Sequence, residues 1–183
     1  MTREEALEII QEKINNQNLL KHSLAVEACM ESLAEYFKED KEKWRLSGLL
    51  HDIDYEETKN SPKEHSLRGA EALKNLGLNN DIVEAVKTHN EAHNIQPTTK
   101  MAKALFSVDP LTGLIVAATL VLPEKKISYL TAQNVLNRFK EKSFARGANR
   151  EIIKKCEDIG LSLEKFIEIC LIAMQKISKG LGL

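Results

Sequence analysis

The chain has 183 residues, 43% of them apolar, with only four prolines and eight glycines. Such a length and content can bury one substantial core, which excludes a disordered or fibrous repeat protein. The formal net charge of −1 is too near neutral to mark a nucleic-acid surface, yet it is uneven: 13 basic and 19 acidic side chains lie within residues 1–100, and 13 basic and 8 acidic ones follow.

Thr2 and Glu5 form a capping box that starts a helix running to about Asn16. A second helix is expected from about Gln17 to Lys38, with an apolar stripe at Leu19, Val26, Met30, Leu33 and Phe37. Asp40 caps a third, which ends near His51. In SPKEHSLRGAEALKNLG, Ser61 reads as a cap, Pro62 as the first helical position, Glu64 as the box partner and Gly77 as the stop. Asn80 or Asp81 opens the next helix. The stretch TTKMAKALFSVDPLTGLIVAATLVLP reads as one long buried helix kinked at Pro110, or as two that abut there. Further helices follow near 131–141, 149–159 and 162–179. No segment alternates at period two, so the expectation is an all-α single domain of about eight or nine helices.

Cys29, Cys156 and Cys170 form no C-x-x-C pair and lie in apolar helical patterns, as small hydrophobes in a reducing compartment do. The N-terminus lacks the order of a signal peptide. The longest mainly apolar run, Leu114–Leu122, is about half of what a membrane span needs. A cytoplasmic location with no membrane partner is therefore expected.

All five histidines, His22, His51, His65, His89 and His93, fall within residues 22–93. His22 sits on the apolar stripe of its helix, three residues after Leu19 and four before Val26. A buried imidazole needs a partner, and a backbone carbonyl is the ordinary one. Asp109 lies four residues after Leu105 on another apolar face, where an unpaired carboxylate costs several kcal/mol. A divalent cation would satisfy both groups. His51 and Asp52 differ by about 100° around a helix, so both address one site only from a helix end.

The ordered set His22, His51-Asp52 and Asp109 resembles the H…HD…D signature of the HD-domain superfamily of metal-dependent phosphohydrolases. LLHDID resembles its HDIG subgroup, with Asp54 in place of that subgroup's glycine. HSLRGAEAL at 65–73 and VEAVKTHNE at 83–91 look like the segments that carry two further histidines. The resemblance covers about residues 17–122 as an HD core, followed by a helical extension over 123–183 that brings no substrate with it. It implies one divalent ion on His22, His51, Asp52 and Asp109, and a second on His65 and His89 with Asp52 bridging. Mn, Mg, Fe, Co, Ni or Zn would each suit such donors. Some binuclear relatives have consecutive histidines where this chain has His89-Asn90. The implied activity is hydrolysis of a small phosphorylated metabolite or nucleotide by metal-activated water, with Asp52 and His51 at the catalytic centre. No nucleic-acid duplex is expected as partner, and self-association is compatible with the sequence.

For the acid at the leaving oxygen, Asp54, Glu91 and His93 are candidates by position, His93 being one helical turn past His89. Between Pro123 and Lys155, nine basic residues face three acidic ones, a cluster that can steer anions. Within it, KSFARGANR suggests a turn from which Arg146 and Arg150 reach a phosphate, and Arg68 is a third candidate. Two other readings use the same donors: a di-iron oxygenase of the HD type, and a non-catalytic module whose metals serve structure.

Overall fold

The computed structural model describes all residues, 1–183. It holds helices α1 (Arg3–Lys13), α2 (Gln17–Phe37), α3 (Lys41–Leu50), α4 (Tyr55–Thr58), α5 (Leu67–Asn75), α6 (Asn80–Thr88) and α7 (Lys100–Leu120). After these come α8 (Ala132–Lys140), α9 (Arg150–Lys154), α10 (Leu163–Lys176) and α11 (Ser178–Leu181), with 3-10 turns at Glu91–His93, Ile127–Tyr129 and Lys155–Ile159. There is no strand. The helices α4, α9 and α11 are pieces of four or five residues, so the longer ones match the expected eight or nine.

α7 is the axis of the fold. It packs against α2, α3, α6, α8, α9 and α10, and its residues Leu105, Val108, Leu111, Leu114 and Ile115 are fully buried. Its length and composition alone would let it cross a membrane, yet 67% of its most apolar stretch is buried inside this body, as a core helix is. Pro110 lies within it without ending it. The proline cannot donate to the carbonyl of Phe106, a cost that a well-packed helix absorbs.

The C-terminal segment belongs to the same core rather than to a separate unit. α10 packs on α2, α7 and α8, and Phe166, Ile167, Cys170 and Met174 join the buried cluster formed by Val26, Cys29, Met30 and Leu33 of α2.

Local chemistry explains the helix starts. The Thr2–Glu5 capping box is present, Asp40 accepts from the backbone of Glu42 and Lys43, and Asn79 caps α6. Gly77 has φ of 75° just past the end of α5, in the left-handed conformation that favours glycine. The expected start at Ser61 and Pro62 is not found: residues 62–66 form turns and α5 begins at Leu67. Ser66 breaks the helix with φ of 70° and gives its hydroxyl to the carbonyl of Lys87. Glu64 pairs with Arg68 instead of closing a capping box. That irregular turn sets His65 apart from the face α5 uses for packing.

Candidate metal centre

His51 and His89 occupy equivalent local positions, each at the C-cap of its helix, α3 and α6. Each ring turns back so that Nδ1 donates to the carbonyl three residues earlier, Gly48 at 2.8 Å and Val86 at 2.7 Å. These are among the carbonyls a helix end leaves unpaired. The result frees Nε2 as a lone pair pointing away from the helix. His22 on α2 and His65 in the turn before α5 reach the same state by other means. The Thr112 hydroxyl donates to the Asp109 carbonyl at 2.9 Å and so accepts from His22 Nδ1 at 3.2 Å. Asp54 Oδ1 accepts from His65 Nδ1 at 3.0 Å.

Four Nε2 atoms therefore converge on two carboxylates. His22 Nε2 lies 3.2 Å from His51 Nε2 and 3.0 Å from Asp109 Oδ1. Two imidazole lone pairs facing each other at this distance have no partner in one another; a cation between them resolves the conflict. Asp52 divides its oxygens. Oδ2 faces His51 at 3.4 Å and His22 at 3.9 Å, while Oδ1 faces His65 at 3.3 Å and His89 at 3.4 Å. Donors ~2.0–2.2 Å from a shared ion stand about 3–3.5 Å from each other, so this set fits one ion on each side of Asp52. Two groups, His22-His51-Asp109 and His51-Asp52-His89, have donor atoms within 4.8 Å of one another.

The electrostatics agree with the donor chemistry. Burial pushes His51 down to about 4, so its ring is neutral, the form that ligates metal. Burial alone would raise the Asp52 pKa, but the imidazoles of His51, His65, His89 and His22 hold it well below the carboxylate range. At His65 burial is likewise outweighed, and hydrogen bonds to Asp52 and Asp54 carry the ring up to about 9. His22 is raised by Asp109 in the same way, against its burial. The pull toward protonation at these two rings registers a negative field that a cation would answer.

Asp109 marks the open side. Its side chain is 31% exposed against 7% for Asp52. Two clefts open on Asp109 and Pro110: one of about 180 Å³ that also touches His65, His89, Gly147 and Asn149, and one of about 320 Å³ with His22, Gly113 and Arg146.

The structure thus brings together His22, His51, Asp52, His65, His89 and Asp109. His93 stays outside this set: α6 stops at Thr88, and His93 Nε2 bonds the carbonyl of His65 at 2.7 Å, bracing the turn. Asp54 stands behind His65 and accepts from the Gly69 amide at 2.9 Å, which leaves it no path to a leaving group. Glu91 lines the smaller cleft and accepts from Asn149. Of the arginines, Arg146 lines the larger cleft; Arg68 pairs with Glu64 on the exposed side of α5 and lines neither cleft; Arg150 turns its guanidinium onto backbone carbonyls. Thr112, which holds the His22 ring, is barely marked in the sequence. Its only signal was a hydroxyl three residues past Asp109 on an otherwise apolar helix.

Four imidazoles and two carboxylates thus converge between α2, α3, α6 and α7 of an all-α body, as a set of side chains able to bind metal. The chain belongs to the HD-domain family, whose description matches residues 19–137. It is similar to proteins named ribonuclease Y: 30% identical over 169 residues in Nitratidesulfovibrio vulgaris, covering 91% of this chain and 32% of that protein. In Lawsonia intracellularis the identity is 31%, covering 74% and 26%, and in Staphylococcus epidermidis 30%, covering 74% and 26%. The chain spans about a quarter to a third of the length of these relatives. No solved structure matches it. The family match runs past residue 122, where the resemblance in sequence motifs ended, into α8.

Proposed function

We propose that this protein hydrolyses phosphate esters with metal-activated water, and that its preferred class is a phosphodiester of a ribonucleotide or short single strand, ahead of small phosphorylated metabolites. The observation that carries the reading is the division of Asp52 between two imidazole pairs, with Asp109 at an open mouth beside them. Ions bound there would polarise a phosphoryl oxygen and make water nucleophilic at neutral pH. The chain supplies the rest. Asp54 and Thr112 fix the imidazole tautomers, Asp52 and Asp109 supply negative charge, and the exposed Arg146 offers a positive charge where an anion enters. The name ribonuclease Y borne by relatives favours a diester over a monoester.

The test is elemental analysis of protein purified without added metal, then a panel of aryl phosphates, aryl phosphodiesters and short ribonucleotides with each candidate ion. Asp52→Ala should lose bound metal and fall to background hydrolysis. Wild-type rates in that variant would sink the reading. Iron in the purified protein, with oxygen consumed and no phosphate ester cleaved, would favour an oxidative centre instead.

A further inference from the structure

Arg150 holds no acid. Its guanidinium gathers backbone oxygens from the segment that precedes it, while the neighbouring acid Glu141 pairs with Arg138. Nη1 donates to Ala145 at 2.8 Å and Ala148 at 2.5 Å, and Nη2 to Phe144 at 2.6 Å. Longer contacts reach the carbonyls of Phe139 at 3.3 Å and Arg138 at 3.4 Å, in the last turn of α8. A cation there satisfies carbonyls that the helix end leaves open and opposes its dipole. The guanidinium also lies 5.9 Å from the centre of the Phe139 ring. Five donors in a rigid fork can organise a loop in this way, whereas a lysine has a single flexible ammonium.

The loop so organised is the wall of the metal centre's mouth. Gly147 lines both clefts that open on Asp109, and Arg146 lines the larger one with His22. Ala145 is held at φ of 44°, a left-handed backbone that an L-residue adopts only where its surroundings impose it. At the other end, Asn149 donates to Glu91 at 2.8 Å, which ties the wall to the turn after His89.

We propose that Arg150 is a positioning residue: it folds residues 138–149 into a wall over the metal centre and so holds Arg146 where a phosphate group enters. The phosphate half of this inference rests on the phosphohydrolase reading; the wall half does not.

Two readouts on the full, metal-loaded chain separate the halves. The first is trypsin cleavage after Lys142 and Arg146, followed by mass spectrometry. In Arg150→Gln it should speed up by about tenfold or more while circular dichroism and metal content stay as in wild type, because an unstapled loop opens locally. The second is calorimetric titration with inorganic phosphate. Arg150→Gln should weaken phosphate binding by the same factor as Arg146→Ala, and the double variant should be no weaker than either single one, since both remove one interaction. Arg150→Lys, which keeps the charge but loses the fork, should fall between and serves if the glutamine variant does not fold. Unchanged cleavage overturns the wall. Faster cleavage with wild-type phosphate affinity overturns the positioning of Arg146, and so do losses that add in the double variant. A wild-type protein that binds metal but no phosphate overturns the phosphohydrolase reading, and with it the phosphate half, even where the loop is cleaved faster.

Discussion

At the scale of single residues, the centre depends on which ring nitrogen carries the proton. Thr112 decides this for His22, because its own hydroxyl is committed to the Asp109 carbonyl and can only accept from Nδ1. Thr112→Val keeps the shape and removes that acceptor. Metal affinity should fall by about 10–100-fold with the fold intact, as outer-shell partners of ligating histidines generally show. A calorimetric titration giving wild-type affinity would refute this role. Asp54 does the same for His65, taking the Gly69 amide on its second oxygen. Since Nε2 of His65 faces Asp52 Oδ1, a centre with one ion on each side of Asp52 should drop from two bound equivalents toward one in Asp54→Ala, measured by elemental analysis. Equal loss of both ions would show instead that the two halves do not load separately.

At the scale of elements, the site exists because α2 and α3 approach more closely than ordinary side chains permit. A Cβ added at Gly48 would meet the backbone of Val26 and Glu27 at 2.9 Å, one turn from His22 and from His51. Gly48→Ala must push the helices apart, at a cost of about 1–3 kcal/mol. It should lower the denaturant midpoint and weaken metal binding together; lost stability with wild-type metal affinity would mean that the crossing does not set the His22–His51 distance. Gly69 has a related duty, its missing side chain letting α5 come within reach of Asp54.

These close approaches also explain how much was legible in sequence. Helix starts written in side-chain chemistry, at Thr2 and Asp40, could be read directly, because a cap acts over three residues; the start of α6 was read at Asn80 or Asp81, one residue or two past its cap Asn79. The six donors could be proposed from their order, and His22 and Asp109 from their places on apolar faces. The turn at 62–66 could not, because tertiary contacts oppose the local Ser-Pro-x-Glu signal there: Ser66 bonds Lys87, and His65 bonds Asp54. Arg150 was legible as a cation near a turn, but its partners are backbone oxygens spread over residues 138–148, which no side-chain pattern announces.

At the scale of the whole molecule, the donors arrive from α2, the ends of α3 and α6, the turn before α5, and α7. Ions at the centre would therefore tie together segments that are otherwise joined by apolar packing and a few hydrogen bonds, such as His22 to Thr112 and Ser66 to Lys87, and binding to the folded state alone adds stability. At 100 times its dissociation constant, an ion adds about 2.7 kcal/mol. For a domain of this size, each kcal/mol moves the thermal midpoint by about 2–4 °C. Chelation should thus lower the midpoint by roughly 5–10 °C, and the buried thiols offer an independent witness. Cys29 on α2, Cys156 in the 3-10 turn at Lys155–Ile159 and Cys170 on α10 are all buried, and burial pushes Cys156 up to about 12 and Cys170 well above the usual thiol range. The folded, metal-loaded protein should leave all three unlabelled by a thiol reagent, and chelator should speed labelling by loosening α2, which contributes both His22 and the face against α10. An unchanged midpoint with unchanged labelling after complete metal removal would mean that packing alone fixes the donors, so that the centre is preorganised in the apoprotein and the ions contribute to chemistry without contributing to the fold.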